Sequence, residues 1–191
     1  MFLETSEDLY MRAFDTRVKP FKPIVEFKVD TNFATSCDLW SQGGEDQYLV
    51  TGHRGFNGAG AEVKLWDLRK VLAVELNETP SSDDLTQFVY SGHQFTPESV
   101  RFVKPLDTRA AKPPEILTAS KDSTMKVLTM QGECLGTERG IDGFACMDVL
   151  ANAPFAPSNR VIVTADIKQR LQVYLFDEDT KSLRHHPLNY N

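Results

Sequence analysis

The sequence predicts an all-β fold built from radially repeated four-stranded blades. Two observations carry that prediction. A hairpin pattern recurs four times along the 191 residues, and the second strand of every copy alternates polar and apolar residues with a period of two. The copies occupy residues 1–17, 48–69, 115–130 and 161–177. Each has a short apolar strand, a polar turn and a second strand that ends on a large apolar side chain. In Met11-Arg12-Ala13-Phe14, Val63-Lys64-Leu65-Trp66, Met125-Lys126-Val127-Leu128 and Leu171-Gln172-Val173-Tyr174 the polar residues interleave with the apolar ones.

The chain opens on what reads as the second strand of a blade, and residues 23–28 continue it. Residues 33–39 begin the next blade, the hairpin at 48–69 follows, and 72–76 reads as its outer strand. The polar stretch 77–90 reads as a surface loop. Residues 100–103 begin a third blade. The segment 104–114, broken by Pro105, Pro113 and Pro114, reads as a loop with at most one helical turn at 106–112. Residues 145–149 begin a fourth blade, and 151–159 form a third insertion. These insertions stretch the repeat beyond the usual 40–45 residues or so of a blade. The blade segments are therefore 1–29, 30–77, 91–138 and 141–191, about three and a half blades of one propeller domain. Closed propellers have about four to eight, so the expected fold is an incomplete propeller with open edges at its two ends.

Bulk composition excludes several classes. A formal net charge of −6 makes nucleic acid a poor partner. The three cysteines, Cys37, Cys134 and Cys146, include no CxxC pair, so no zinc ribbon or dithiol motif is expected. They read as buried reduced thiols. No apolar run approaches the roughly 18 residues of a membrane span, and acidic residues near Met1 oppose a signal peptide. The expected location is cytoplasmic.

The residues Val63-Lys64-Leu65-Trp66-Asp67-Leu68 resemble the blade-ending motif of WD-repeat propellers. Gly92-His93 resembles the Gly-His that opens a blade, and Ser120-Lys121-Asp122-Ser123-Thr124 the turn between its second and third strands. The aromatic–Asp pair is Phe14-Asp15 in the first copy and Trp66-Asp67 in the second. It has decayed to Leu128-Thr129 and Tyr174-Leu175 in the others. The order of segments across roughly 50–137 is similar to a WD-repeat family associated with cilia and their trafficking machinery.

The resemblance implies structural roles for Phe14, Asp15, Trp66, Asp67, His93, Ser120, Asp122 and Tyr174. In the family pattern a third-strand aromatic joins a second-strand Ser or Thr, the blade-opening His and the turn Asp. His93, Thr118 or Ser120, and Asp122 match three of those positions, while Leu128 has no N–H to offer. His93, Ser120 and Asp122 also suggest a hydrolase, but there is no Gly-x-Ser-x-Gly elbow. Gly52, Gly55, Gly58 and Gly60 suggest a phosphate loop, but no Lys-Ser or Lys-Thr follows and the next element is a strand. No catalytic, cofactor or metal residue is expected.

His53, Arg54, Phe56 and Phe95 fall in turn-like contexts and are the expected partner contacts. The function expected is a protein–protein interaction scaffold or adaptor without catalysis. The alternative is a structural subunit completed by neighbouring chains. The family resemblance implies a cilium or basal-body setting, with trafficking or small-GTPase regulatory proteins as partners.

Overall fold

The computed structural model describes residues 2–15, 17, 19–20, 22–29, 32–42, 45–73, 82–105, 112–150, 156 and 158–187. Within them the strands form four antiparallel sheets, each a meander in chain order. The first holds β1 (Phe2–Thr5), β2 (Tyr10–Phe14) and β3 (Pro23–Lys28). The second holds β4 (Ala34–Gln42), β5 (Glu45–His53), β6 (Val63–Asp67) and β7 (Thr86–Tyr90). The third holds β8 (Pro97–Val103), β9 (Glu115–Ser120), β10 (Thr124–Leu128) and β11 (Cys134–Arg139). The fourth holds β12 (Phe144–Leu150), β13 (Arg160–Asp166), β14 (Leu171–Asp177) and β15 (Ser182–His186).

Successive sheets stack through apolar faces. Met11, Phe27 and Val29 pack with Leu49, Trp66 and Leu68 between the first and second sheets. Val50, Val63 and Leu65 pack with Val100, Phe102, Ile116 and Leu128 between the second and third. Leu117, Ala119, Met125 and Val127 pack with Phe144, Met147, Ile162, Tyr174 and Phe176 between the third and fourth. Most of these side chains are wholly buried, and each contributes about 1.5–3 kcal/mol of burial.

The leading strands are also tied side by side. The Val100 N–H donates to Ser36 Oγ at 2.9 Å, the Phe102 N–H to Asp38 Oδ2 at 2.8 Å, and Ser99 Oγ to the Met147 carbonyl at 3.1 Å. Gly52 permits this approach, since a Cβ there would lie 2.6 Å from the Pro97 carbonyl oxygen.

Three expectations need correction. Of the expected strand at 72–76, Leu72 and Ala73 belong to a helix, α1 (Leu68–Ala73), and 74–76 lie outside the described residues. Asp67 starts that helix by accepting the Arg69 N–H at 3.1 Å, and good helix formers follow. The expected loop at 77–90 instead contains a single helical turn, α2 (Ser82–Leu85), and the outer strand β7. Thr86-Gln87-Phe88-Val89-Tyr90 is β-branched and aromatic with alternating exposure, which suits an outer strand. The cysteines are free, but Cys134 and Cys146 are exposed and Cys37 is half-buried. The expected turn at 106–112 lies outside the described residues apart from Lys112, which is irregular.

Candidate functional site

The polar residues singled out in the second sheet form a directional relay. Trp66 Nε1–H donates to Thr51 Oγ1 at 2.8 Å. Thr51 Oγ1 stands 2.8 Å from His53 Nε2, and His53 Nδ1 stands 2.8 Å from the Asn32 carbonyl. That carbonyl can only accept, so Nδ1 carries the proton and Nε2 accepts from the Thr51 hydroxyl. Every donor has an acceptor, and Thr51, His53 and Trp66 are all within 1% of complete burial. His53 is therefore not an exposed turn contact. It is the last residue of β5, on the same face as Thr51, because residues two apart in a strand point the same way.

The third sheet builds a comparable network without tryptophan. His93 Nδ1 lies 3.1 Å from Asp122 Oδ2, and Nε2 lies 2.8 Å from Thr118 Oγ1. Asp122 also accepts the N–H groups of Gln94 at 2.8 Å and Thr124 at 2.9 Å. Burial pushes the Asp122 carboxyl up, but the bonds from His93, Thr124 and Gln94 outweigh it and hold the group below the usual carboxylate range. Ser120 turns away from His93 and donates to the Phe95 carbonyl at 2.7 Å. With His93 wholly buried and Ser120 committed to that carbonyl, these three residues do not form a nucleophile–base pair. Leu128 is wholly buried and fills the aromatic position by packing alone.

In the fourth sheet Tyr174 Oη donates to Gln172 Oε1 at 2.8 Å, and Gln172 Nε2 donates to Asp166 Oδ2 at 3.1 Å. Burial, with the Glu138 and Asp166 charges nearby, pushes the Tyr174 phenol up to about 12. Asp67 and Asp15 hold equivalent ion pairs, to Arg69 and Arg17, each at 2.7 Å. Phe14 is buried at the end of β2. Among the described residues no buried side-chain nitrogen or oxygen lacks a partner. No group of three or more His, Cys, Asp or Glu side chains there is placed to hold a metal ion. No described helix is long and apolar enough to cross a membrane.

Arg54, Phe56 and Phe95 come together where the β5–β6 loop meets the segment before β8. They line an open groove of about 870 Å³ with Asn32, Thr96 and Lys121. Phe56 is 66% exposed and stands edge-on to Phe95, ring centroids 5.3 Å apart. The loop beneath them is pinned. Phe56 and Ala59 exchange backbone bonds at 3.0 Å, and the Gly58 N–H donates to the Gln94 carbonyl at 2.7 Å. The Gly55 N–H donates to Thr96 Oγ1 at 3.1 Å. Gly60 adopts φ +71°, which glycine takes without strain. The glycine run thus serves a fixed turn that presents Phe56. Arg54 lies over the Phe33 ring at 5.5 Å, and Lys121 pairs with Glu98 at 2.5 Å. Lys121 and Thr96 were not singled out in the sequence as contact residues; only their place beside the Gly-His and turn motifs pointed to them.

No protein-family model matches the chain, and no curated protein matches it. Among solved structures it is similar to one described as the crystal structure of RRP9 WD40 repeats, at 13% identity and a TM-score of 0.61. The match covers 96% of this chain and 46% of that one, so the chain spans about half the length of this neighbour. At that identity the likeness speaks for the fold alone. Together with the four unclosed antiparallel sheets, it makes the chain an all-β structure of incomplete WD40-type β-propeller fold.

Proposed function

We propose that the chain is a non-catalytic scaffold or adaptor that holds a partner protein in the groove between Phe56, Phe95, Arg54 and Lys121. The observation that supports this reading is the Phe56–Phe95 pair, an exposed aromatic contact on a hydrogen-bonded loop. An exposed aromatic pair on a hydrogen-bonded turn is the kind of apolar anchor on which a partner's binding energy concentrates. The chemistry of the groove fits an extended segment with one apolar anchor and an adjacent carboxylate, received by the two rings and by Arg54, with the Lys121–Glu98 pair at the edge. Phe14, Asp15, Trp66, Asp67, His93, Ser120, Asp122 and Tyr174 act in this reading as the framework that holds the loops in place.

The setting rests on the resemblance of residues 50–137 to WD repeat-containing protein 31. The partners proposed on that resemblance are ciliary trafficking or small-GTPase regulatory proteins, met at the cilium or basal body. Proximity labelling in ciliated cells, comparing the wild-type chain with Phe56→Ala, tests the proposal. A set of ciliary proteins labelled by the wild type and lost with the variant is expected. Identical labelling by both, or a set without ciliary proteins, contradicts the groove or the setting respectively.

A further inference from the structure

The groove between the second and third sheets holds two polar groups that the fold itself does not use. Asn32 and Arg54 both line it. Among the described residues the Asn32 carboxamide and the Arg54 guanidinium have neither a hydrogen-bond nor an ion-pair partner. Both residues are nonetheless fixed at their main chain. The Asn32 carbonyl takes the proton of His53 Nδ1 at 2.8 Å, and the Arg54 N–H donates to the Phe33 carbonyl at 3.1 Å. The Arg54 guanidinium lies over the Phe33 ring at 5.5 Å, which leaves its N–H groups for a carboxylate. The half-buried Asn32 carboxamide sits in a gap made for it, because a Cβ at Gly60 would collide with Asn32 Nδ2.

The same bonds recur one sheet on. The Phe95 carbonyl accepts the Ser120 hydroxyl at 2.7 Å where the Asn32 carbonyl accepts His53 Nδ1. The Lys121 N–H donates to the Thr96 carbonyl at 3.0 Å where the Arg54 N–H donates to that of Phe33. Asn32 and Phe95 therefore hold equivalent places in successive sheets, and the groove offers a carboxamide on one side and an aromatic pair on the other. Packed sheets lie about 10 Å apart, a span that an extended chain covers in about three residues. A carboxamide carries N–H donors and a carbonyl acceptor on one planar group. It can bond the C=O and the N–H of a single extended residue together, whereas in a helix those groups are already bonded to other turns.

We propose that Asn32 reads the main chain of the docked segment and so commits the groove to an extended peptide rather than a helix. The assignment rests on that groove being the docking site. The occupant places an apolar side chain against Phe56 and Phe95, an acidic one on Arg54, and its main chain on Asn32 about two or three residues from the apolar anchor. Calorimetric titration of the intact chain tests it. The probes are the tightest peptide recovered by display selection against the chain, and its analogues with one main-chain nitrogen methylated at a time. One methylation near that distance from the anchor should weaken binding to the wild type at least about tenfold. Asn32→Leu should bind the parent peptide about tenfold more weakly and be indifferent to that methylation, the coupling being read as a double-mutant cycle. The scan on the wild type stands even if Asn32→Leu fails to fold. A scan without such a position overturns the proposal. So does a methylation loss that persists in Asn32→Leu, or a bound peptide that is helical by circular dichroism. Phe56→Ala separates this role from the groove itself. A flat scan with binding still lost in Phe56→Ala overturns the role of Asn32 alone, whereas full binding by Phe56→Ala overturns the groove and the proposal with it.

Discussion

At the level of single residues the molecule depends on a few buried hydroxyl and imidazole groups whose partners all lie within the protein. Thr51 is the hinge of the Trp66–Thr51–His53 relay. Thr51→Val keeps the shape but removes the acceptor of the indole N–H in a dry interior. The expected loss is about 1–3 kcal/mol, read from urea denaturation. Phe56→Ala removes an exposed ring and should shift stability by no more than about 0.5 kcal/mol in the same assay. Asp122 adds a pH signature. Its folded pKa lies below the unfolded value of about 3.9. Its stabilising contribution is therefore complete above that value and is lost as pH falls through the folded pKa. The difference in unfolding free energy between wild type and Asp122→Asn should hold at neutral pH and shrink below about pH 4. The His93 and Asp122 positions could be read from blade order in the sequence, but the choice between Thr118 and Ser120 could not, and it is Thr118 that meets His93. The burial of His53 could not be read from the Gly-His pattern, which directs attention to blade openings. The two-residue spacing from Thr51 carried the missing signal.

At the level of elements, period-two alternation located the hairpins because it reports which strand face is buried. It failed across 68–90 for a local reason. Asp67 serves two masters there, ending β6 and capping α1 through the Arg69 N–H. The chain turns helical where continued alternation suggested another strand. The outer strand β7 is consequently displaced to Thr86–Tyr90, behind the polar Ser82-Asp83-Asp84 that reads as loop. Asp67→Ala should remove the cap and the Arg69 pair together, at a cost of about 0.5–2 kcal/mol by the capping range, measured by chemical denaturation. A cost near zero would mean that packing of Leu68 and Leu85, both within 2% of full burial, fixes the helix alone.

At the level of the whole molecule, four stacked sheets form a support whose loops carry the proposed contact surface. The groove exists because the β5–β6 loop and the segment before β8 belong to neighbouring sheets and are bonded to each other. No single repeat could show it in the sequence, although Phe56 and Phe95 were individually legible as turn aromatics. The most direct test of the central claim is calorimetric titration of the intact chain. The ligand is the tightest peptide recovered by display selection against it, measured with wild type, Phe56→Ala and Arg54→Glu. The account predicts that each variant binds at least about tenfold more weakly, roughly 1.4 kcal/mol, with an unchanged melting temperature. Equal affinity across all three proteins would place partner recognition elsewhere on the molecule and contradict it.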